Sequence, residues 1–273
     1  MFALDDKIIL VVGGRGYLGR DFCAHLKRQK AVVISADLEE MSKAASTSIK
    51  VDDEDSTIIQ RNVDVTDQKS VKLLVDGIIS KFGRIDCLVF SVTEKPKDFY
   101  SPYTECSLEG WKSVISVELD GVFLVTQKVG RVMEKQKSGS IILISSIYGV
   151  VGNDQRIYEG ANLNSLYVDG DAHQKQIYSH SVYPVVKGAL ISLARYLAAY
   201  WGHLNIRVNC VSPGGVKHEG ENEAFVEKYS EKVPLGRKAD VSEISGAIVY
   251  LASDESSYVT GQNFIIDGGW TAW

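Results

Sequence analysis

The chain reads Gly13-Gly14-Arg15-Gly16-Tyr17-Leu18-Gly19 between an apolar run, Ile8–Val12, and an amphipathic helical pattern, Tyr17–Gln29. Glycine lets such a loop turn tightly and approach a pyrophosphate with no Cβ in the way, while the helix N-terminus directs its N–H groups at the phosphates. A G-x-G-x-x-G pattern by itself is equally compatible with a plain tight turn. The strand before it and the helix after it favour a dinucleotide site.

The rest of the chain continues this alternation of buried strands and helices. The predicted strands are Ile8–Val12, Ala31–Ala36, Ile58–Val63, Ile85–Phe90, Ser140–Ile144, Ile206–Val211 and Gln262–Ile266. The predicted helices are Tyr17–Gln29, Val71–Phe82, Leu108–Met133, Tyr183–Trp201 and Val241–Ala252. Continuous β-branched runs between amphipathic helices are typical of a parallel sheet with helices on both faces. The sequence therefore predicts a doubly wound, Rossmann-type α/β fold, with residues 1–273 forming a single domain.

Composition narrows the function classes. The 273 residues are 45% hydrophobic and 24% charged, with a net charge of −5, so nothing suggests the basic footprint of a nucleic-acid-binding protein. The four cysteines form no C-x-x-C pair, which favours buried thiols in a reducing compartment over a metal site. The N-terminus carries Asp5 and Asp6 where a signal peptide needs basic residues, and no apolar run approaches about 18 residues. We expect a cytoplasmic protein with no metal, no membrane segment and a small-molecule substrate.

Asp37 ends the second predicted strand about 20 residues after the glycines. An acid there can accept hydrogen bonds from both ribose hydroxyls of NAD, whereas the 2′-phosphate of NADP would meet a like charge. An N-cap of the following helix is the alternative role for Asp37. Arg15 complicates the choice, because a basic residue in the loop could contact phosphate. The residues favour NAD over NADP.

Tyr183 and Lys187 stand four residues apart on a predicted helix, which places both side chains on one face. A free tyrosine titrates near pH 10, too high for base catalysis at neutral pH, and a neighbouring ammonium stabilises its phenolate. Y-x-x-x-K patterns also occur by chance on amphipathic helices. The dinucleotide site upstream favours a catalytic pair, with Tyr183 as the acid/base.

With these motifs together, the chain resembles the short-chain dehydrogenase/reductase family over nearly its whole length. The matching motifs are the glycine loop, Asp37, Asn62-Val-Asp64-Val65, Gly139-Ser-Ile-Ile-Leu-Ile-Ser145-Ser146, Tyr183/Lys187, Ile206-Arg-Val-Asn209-Cys-Val-Ser-Pro213-Gly214 and Tyr258-Val-Thr-Gly261-Gln-Asn-Phe-Ile-Ile-Asp267-Gly268-Gly269. The resemblance implies that Ser146 polarises the reacting carbonyl or alcohol, Tyr183 transfers the proton, and Lys187 holds the cofactor ribose and tunes Tyr183. A serine that merely caps its own turn is the alternative for Ser146.

The resemblance also implies a set of cofactor contacts. Asp64 approaches the adenine, Val65 contributes a backbone contact, and Pro213–Val216 line the nicotinamide side. The full set of expected cofactor-binding residues is Gly13, Gly14, Arg15, Gly16, Tyr17, Leu18, Gly19, Asp37, Asp64, Val65, Ser91, Tyr183, Lys187, Pro213, Gly214 and Val216.

Three local departures from the family pattern stand out. The usual Asn-Asn-Ala-Gly after the fourth strand is replaced by Phe90-Ser91-Val92-Thr93. The glycine spacing with Tyr17 resembles the extended, nucleotide-sugar-modifying branch, although the short C-terminal part suits the ordinary branch. The asparagine that completes a proton relay in many members is Glu118 here. Glu118 could serve the relay, hold Lys187 in an ion pair that blunts its effect, or face solvent; our hypothesis is the relay, and we count Glu118 as catalytic.

A fourth departure is the spacing of Ser146 and Tyr183, which are 37 positions apart where the family usually has roughly thirteen. The insertion, residues 154–180, is anchored beside both catalytic side chains, so we expect it over the substrate end; a surface loop or oligomer contact is the alternative. Its hydroxyl, amide and ionisable groups suit a polyol or sugar. These are Tyr158, Glu159, Asn162, Asn164, Tyr167, Asp169, Asp171, His173 and Tyr178. The segment Ile157-Tyr-Glu-Gly160 is similar to flagellin-modification members of the family, from bacterial nonulosonic-acid pathways.

The resulting expectation is an oxidoreductase that transfers a hydride between NAD(H) and an alcohol or ketone of a hydroxylated substrate: an amino sugar, sugar phosphate or nucleotide sugar. An ordinary acyl, steroid or small-alcohol reductase is the second hypothesis, and a non-catalytic dinucleotide-binding scaffold the third.

Residues 212–235 are expected to form a substrate loop or lid, with His218–Lys232 helical. The resemblance also implies a homodimer or homotetramer, and the tail Trp270–Trp273 suits burial in a neighbour or within the chain.

Overall fold

The computed structural model describes residues 2–38, 58–161 and 177–273. One prediction falls partly outside these ranges. The insertion residues that lie outside are Asn162, Asn164, Tyr167, Asp169, Asp171 and His173.

The described residues form a seven-stranded, all-parallel sheet with the strand order β3-β2-β1-β4-β5-β6-β7. The strands are β1 Ile8–Val12, β2 Val32–Asp37, β3 Ile59–Asn62, β4 Cys87–Phe90, β5 Gly139–Ile144, β6 Ile206–Pro213 and β7 Asn263–Ile266. All seven predicted strands are present, with ends that shift by up to two residues. The chain reverses its strand order between β1 and β4, and the carboxyl ends of these strands open the crevice in which doubly wound folds bind ligands.

Helices cover both faces of the sheet, as predicted. They are α1 Tyr17–Arg28, α2 Gln68–Phe82, α3 Leu108–Ile115, α4 Gly121–Gln136, α5 Val182–Trp201, α6 Glu223–Glu231 and α7 Val241–Ala252. One apolar core joins α2, α4 and α5 to the sheet, and a second joins α1 and α7 to the opposite face. A capping box begins α7, with the Asp240 N–H donating to Glu243 Oε2 over 2.8 Å.

The long helix predicted over 108–133 is helical throughout but not uniform. Between α3 and α4, residues Ser116–Asp120 form one turn of π-helix. A π-turn inserts one extra residue into the α-helical repeat and therefore changes which side chains face the core. Glu118 lies in this turn and is fully buried. The solvent-facing alternative for Glu118 is thus wrong.

Helix α5 carries Tyr183 and Lys187. By length and composition alone, Val182–Leu204 is apolar enough to cross a membrane, which the sequence analysis had not anticipated. In this fold Leu190, Ala194 and Leu197 of the helix pack into the core against the sheet. A helix that is sandwiched between a sheet and other helices is expected to be this apolar.

Two expectations near the C-terminus need correction or completion. The helix predicted over His218–Lys232 is shorter, because α6 begins only at Glu223, where the Asn222 side chain accepts a 3.1 Å bond from Phe225 N. Asparagine is a preferred N-cap, so the chain before it forms a loop.

In the tail, Trp270 stacks on Tyr229 within the chain at 4.5 Å between ring centres. All four cysteines are free thiols.

Candidate active site

The glycine loop leaves no room for side chains at its closest approaches. A Cβ on Gly19 would lie 2.0 Å from the Gly13 carbonyl oxygen. A Cβ on Gly13 would lie 2.4 Å from the Ser91 carbonyl oxygen, and the φ of Gly13 is +82°. The loop therefore packs against itself and against the end of β4. This cradle is what a pyrophosphate requires: bare backbone at the N-terminus of α1. The residues fit a dinucleotide.

Replacing Gly19 by alanine tests this packing. We expect Gly19→Ala to weaken NAD binding at least tenfold, roughly 1.4 kcal/mol, because the loop must move away from Gly13 to admit the methyl group. The measurement is a calorimetric titration of the cofactor. Gly77→Ala is the matched control: Gly77 lies inside α2 with nothing within 4 Å of its Cβ position, so that change should stabilise the fold by about 0.5–1 kcal/mol and leave binding intact. Equal NAD affinities for the two variants would contradict the proposal that this glycine loop binds the cofactor.

Asp37 lies at the end of β2, against the glycine loop. Its Oδ2 accepts a 3.0 Å bond from Arg15 N, and its Oδ1 accepts a 2.9 Å bond from Leu38 N. These bonds fix the carboxylate at the loop while each oxygen keeps a second lone pair for a ligand hydroxyl. The N-cap alternative concerns a helix beyond Leu38, which lies outside the described ranges.

The Arg15 guanidinium is already hydrogen-bonded to the protein. It donates to Leu38 O, Gln60 Oε1, Arg61 O and Asn62 Oδ1 at 2.9–3.2 Å. Arg15 therefore ties the loop to the ends of β2 and β3. The suggestion that it contacts a phosphate finds no support in this arrangement.

Asp64 and Val65 lie beyond β3, at the edge where the adenine is expected. Asp64 is exposed, and its Oδ1 accepts bonds from Thr66 N and Thr66 Oγ1 at 2.9 and 2.6 Å. Val65 is buried against Gly121 at the start of α4. The Asp64 carboxylate shapes its own turn, and its adenine contact stays a prediction.

Helix α5 holds Tyr183 and Lys187 on one face, as their spacing predicts. Lys187 is buried, its Nζ lies 5.3 Å from the centre of the Tyr183 ring, and its backbone oxygen accepts a 2.7 Å bond from Ser145 Oγ. Ser146 follows β5 and accepts a 3.2 Å bond from Tyr148 N. Ser146 does cap its own turn, and its side chain also lines the cavity that contains Tyr183.

Glu118 forms an ion pair with Lys187 in the interior. Glu118 Oε2 lies 2.8 Å from Lys187 Nζ, and Oε1 accepts bonds from Thr93 Oγ1 at 2.9 Å and Glu94 N at 3.1 Å. Burial works against the charge of Lys187, but the attraction of the Glu118 carboxylate outweighs it and raises the pKa of Lys187. Lys187 thus stays protonated at neutral pH.

Two adjoining cavities bring the predicted residues together. The smaller, about 190 Å³, is lined by Ser146 and Tyr183 together with Pro213, Gly214 and Val216. The larger, about 360 Å³, runs from the glycine loop past Ser91 and Thr93 to Tyr183 and Lys187. Gly16, Tyr17, Leu18 and Gly19 border it as well. Ser146, Tyr183, Lys187 and most of the predicted cofactor residues therefore line one cleft, whereas Glu118 does not line it and is connected to it through Lys187.

The far end of this cleft is an aromatic pocket, defined here by Phe99, Tyr100, Tyr148, Tyr158 and Phe225. Burial raises the pKa of the Tyr148 and Tyr158 hydroxyls above their usual range, so both stay neutral. The ends of the insertion form part of the wall. Tyr158 lines the pocket, and Ser179 is bonded to Asn153 across the insertion. Of the other insertion residues, Glu159 contacts Lys228 of α6, and Tyr178 N donates to Tyr100 O.

Sequence reasoning missed several residues of the cleft. Lys238 is buried, pairs with Glu221, and lies 5.3 Å from the Phe225 ring centre. Burial lowers the pKa of Lys238. Nothing in the charged segment around it indicates that this lysine is buried. Thr93 could have been found, because polar residues just beyond the carboxyl end of a parallel strand belong to the usual ligand crevice.

A family model described as short chain dehydrogenase matches residues 7–161, more than half of the chain. The chain belongs to the short-chain dehydrogenase/reductase family. A second family model, described as enoyl-(acyl carrier protein) reductase, matches residues 159–271. As an NAD(P)-dependent short-chain dehydrogenase/reductase, the protein is an enzyme that acts on an alcohol or ketone group. The non-catalytic scaffold hypothesis is thereby set aside.

Three proteins similar to this short-chain dehydrogenase/reductase differ in their named functions and cofactors. Post-translational flagellin modification protein A of Campylobacter coli is 30% identical, over 98% of this chain and 99% of that protein. An NADP-dependent mannitol dehydrogenase of Hypocrea jecorina is 30% identical, over 99% and 94%. The crystal structure of a short chain dehydrogenase from Leptospira borgpetersenii with bound NAD+ is 31% identical and has a TM-score of 0.83, over 98% and 94%. Relatives thus use either cofactor.

Proposed function

We propose that this enzyme interconverts an alcohol and a ketone on a hydroxylated substrate with NAD(H), using Ser146, Tyr183 and Lys187. The observation that carries the proposal is the smaller cavity of about 190 Å³, which Ser146, Tyr183, Pro213, Gly214 and Val216 line together. A reacting carbon held there would lie close to the hydroxyl donors and to the expected nicotinamide wall. Hydride transfer needs this juxtaposition.

The chain's own residues would supply proton handling and orientation, while a bound nicotinamide would supply or accept the hydride. Ser146 would hold the reacting oxygen by a hydrogen bond. Tyr183 would give that oxygen its proton during reduction and remove it during oxidation. The Lys187 ammonium, kept charged by Glu118, would stabilise the Tyr183 phenolate.

NAD is the proposed cofactor because of the charge at the end of β2. Asp37 is fixed there by Arg15 N and Leu38 N, so a 2′-phosphate would be placed against a carboxylate. The cation of the glycine loop, Arg15, is directed to acceptors at the ends of β2 and β3. Asp37 therefore offers a partner to a ribose diol, and the Arg15 guanidinium is already bonded to the protein rather than placed for a 2′-phosphate.

The aromatic pocket supports a polyol, sugar phosphate, amino sugar or nucleotide sugar as substrate. Tyr100, Tyr148 and Tyr158 combine ring faces with hydroxyl groups that can donate and accept hydrogen bonds. Ser179 and Lys238 add further donors to the same wall. Phe99 and Phe225 favour the second candidate, a cyclic or acyl substrate with no hydroxyl besides the reacting one, and a direct comparison separates the two.

The test is a panel assay with NAD and NADP against pentitols, hexitols, N-acetylamino sugars, sugar phosphates and nucleotide sugars, beside cyclohexanol and a β-hydroxyacyl thioester. We expect at least one hydroxylated substrate to exceed cyclohexanol by roughly tenfold or more in kcat/KM. Cyclohexanol would leave polar groups of the pocket without hydrogen-bond partners, which is costly. Higher kcat/KM for cyclohexanol or the thioester would favour the second candidate. Turnover of no compound with either cofactor would contradict the assignment.

Glu118→Gln tests the buried ion pair. Removing the carboxylate leaves a buried ammonium without its counter-charge, so we expect a loss of roughly 3–5 kcal/mol in unfolding free energy at neutral pH. Because the folded pKa of Lys187 is raised, the wild-type pair stabilises fully below the unfolded value near 10.4 and loses this contribution as pH rises through the folded value. The variant should therefore approach wild-type stability at high pH. Denaturant titrations at neutral and alkaline pH measure this.

Kinetics give the second readout of Glu118→Gln. Without the carboxylate the pKa of Lys187 should fall, so turnover should drop and the alkaline limb of the kcat/KM profile should move to lower pH. Glu134→Gln is the control, since Glu134 is a carboxylate of α4 that accepts a bond from Trp201, which glutamine can keep. If Glu118→Gln kept the wild-type pH profile, Glu118 would be neither the counter-charge of Lys187 nor a member of a proton relay.

We further propose a homodimer or homotetramer through α4 and α5. Exposed aromatic side chains lie on these helices: Phe123 is 55% exposed, Tyr196 is 65%, and Tyr200, which stacks on Tyr196, is 55%. Light scattering should give a multiple of the 30.0 kDa chain mass, reduced when Tyr196→Lys and Tyr200→Lys are combined. Leu73→Lys, at an exposed apolar position of α2, should not change it. A monomeric wild type would refute this proposal.

A further inference from the structure

A hydrogen-bonded path leads from the catalytic lysine to the accessible wall of the cleft. Lys187 Nζ lies 2.8 Å from Glu118 Oε2, and Glu118 Oε1 lies 2.9 Å from Thr93 Oγ1. Lys187 and Glu118 are buried, whereas Thr93 is exposed and lines the larger cavity. The path thus begins beside Tyr183 and ends at Thr93, an exposed residue in the wall of the cleft.

The chemistry requires such a path. Each reduction consumes one proton through Tyr183, and each oxidation releases one, while a filled cleft separates Tyr183 from bulk water. Glu118 cannot exchange with water directly, because it has no exposed surface. Its polar contacts in the described structure are Lys187, Thr93 Oγ1 and Glu94 N. An amide N–H only donates, whereas a hydroxyl can donate one proton and accept another.

We propose that Thr93 is the solvent end of a proton relay that runs through Glu118 to Lys187, an inference that rests on the proposed function. In reduction, Tyr183 gives its proton to the substrate oxygen and regains one from Lys187. Lys187 regains one from the Glu118 carboxyl group, which has received it from Thr93, and Thr93 takes one from water. One proton enters from solvent, one leaves in the product alcohol, and every residue returns to its starting state. Oxidation runs the same steps backwards.

The orientation found in the structure matches the inward step. Thr93 Oγ1–H donates to Glu118 Oε1, while Oε2 faces Lys187. A half-turn of the carboxyl group carries a proton from one side to the other, and the terminal torsion of glutamate is soft and roughly two-fold. Glu94 N holds Oε1 in place between turns. If Thr93 only positioned Glu118, it would need its hydrogen bond to Glu118 but would exchange no proton with water. This difference can be measured.

The experiment compares Thr93→Val, which keeps the shape and removes the hydroxyl, with Thr93→Ser, which restores it. With NAD and the best panel substrate, Thr93→Val should lower kcat about tenfold or more, leave both KM values within about twofold of wild type, and raise the solvent deuterium isotope effect. Small buffers such as imidazole should restore its kcat with rising concentration, and Thr93→Ser should recover most of the rate. A kcat within twofold of wild type, or a loss that no buffer restores, would overturn the relay.

A second measurement does not depend on turnover. After rapid acidification of the cofactor-free protein, infrared spectroscopy can follow protonation of the Glu118 carboxyl group, with its band identified by its loss in Glu118→Gln. Protonation should be slower in Thr93→Val than in wild type, and equal rates would overturn the relay. Inactivity of the wild type on the whole panel would instead refute the proposed function, so the two failures are distinguishable. Melting temperatures check that each variant is folded.

Discussion

Tyr183→Phe should lower kcat/KM by about a thousandfold or more with any substrate of this enzyme, because it removes the only group assigned to move the substrate proton; general acid–base catalysis contributes roughly 10²–10⁴-fold. Cofactor affinity should stay within about threefold of wild type. The ring packs edge-on against Phe99 and Tyr148 at 6.3 and 6.5 Å between centres, and phenylalanine keeps both contacts. Steady-state kinetics and a calorimetric NAD titration measure the two quantities.

The matched control is Tyr196→Phe. Tyr196 lies on the same helix, is 65% exposed, and stacks on Tyr200 away from the cleft. Removing its hydroxyl should leave kcat/KM unchanged. If Tyr183→Phe kept more than about a tenth of wild-type activity, the proton would have another donor, and the buried hydroxyl of Tyr148 would become the first candidate.

The second large effect is expected at the cofactor. Asp37→Ser should reduce the preference for NAD over NADP by about a hundredfold or more. Relieving the like-charge contact with a 2′-phosphate is worth several kcal/mol, and each 1.4 kcal/mol is tenfold. Most of the change should appear as a lower KM for NADP, because the repulsion is relieved. The rest should appear as a higher KM for NAD, because serine removes a ribose partner. Ratios of kcat/KM for the two cofactors measure it.

Asp64→Asn separates this effect from a general change of charge. Asp64 is also an acid on this edge of the sheet, and it shapes the turn at Thr66 rather than facing the glycine loop. Its replacement should alter both cofactors by the same factor. A wild-type preference for NADP, or an unchanged ratio in Asp37→Ser, would contradict the assignment of Asp37 to the ribose.

The parts of the fold that depend on local pattern were predictable from the sequence. Strands β1 and β4 are buried on both faces, so each appears as an unbroken apolar run, and β5 does so from Ile141 onwards. The glycine loop and the start of α7 carry signals that act within a few residues. Tyr183 and Lys187 needed only the helical repeat to be placed on one face.

The parts that depend on distant contacts were not predictable in the same way. Glu118 had three compatible roles, and the π-turn together with the contacts to Thr93 and Lys187 excluded the solvent-facing one. Lys238 looked like one more surface charge, yet the fold buries it beside Glu221. The start of α6 was missed although Asn222 carried the signal, because the charged run before it has a helical pattern as well.

The central claim is that this chain transfers a hydride between NAD(H) and a hydroxylated substrate with Tyr183 as the acid/base. The most direct measurement mixes purified enzyme with NAD+ and a substrate deuterated at the reacting carbon, then determines the label in the nicotinamide by mass spectrometry. Wild type should place one deuterium in the reduced cofactor, and Tyr183→Phe should place almost none in the same time while binding NAD+ equally well. No label from any hydroxylated substrate, or equal labelling by Tyr183→Phe, would contradict the account.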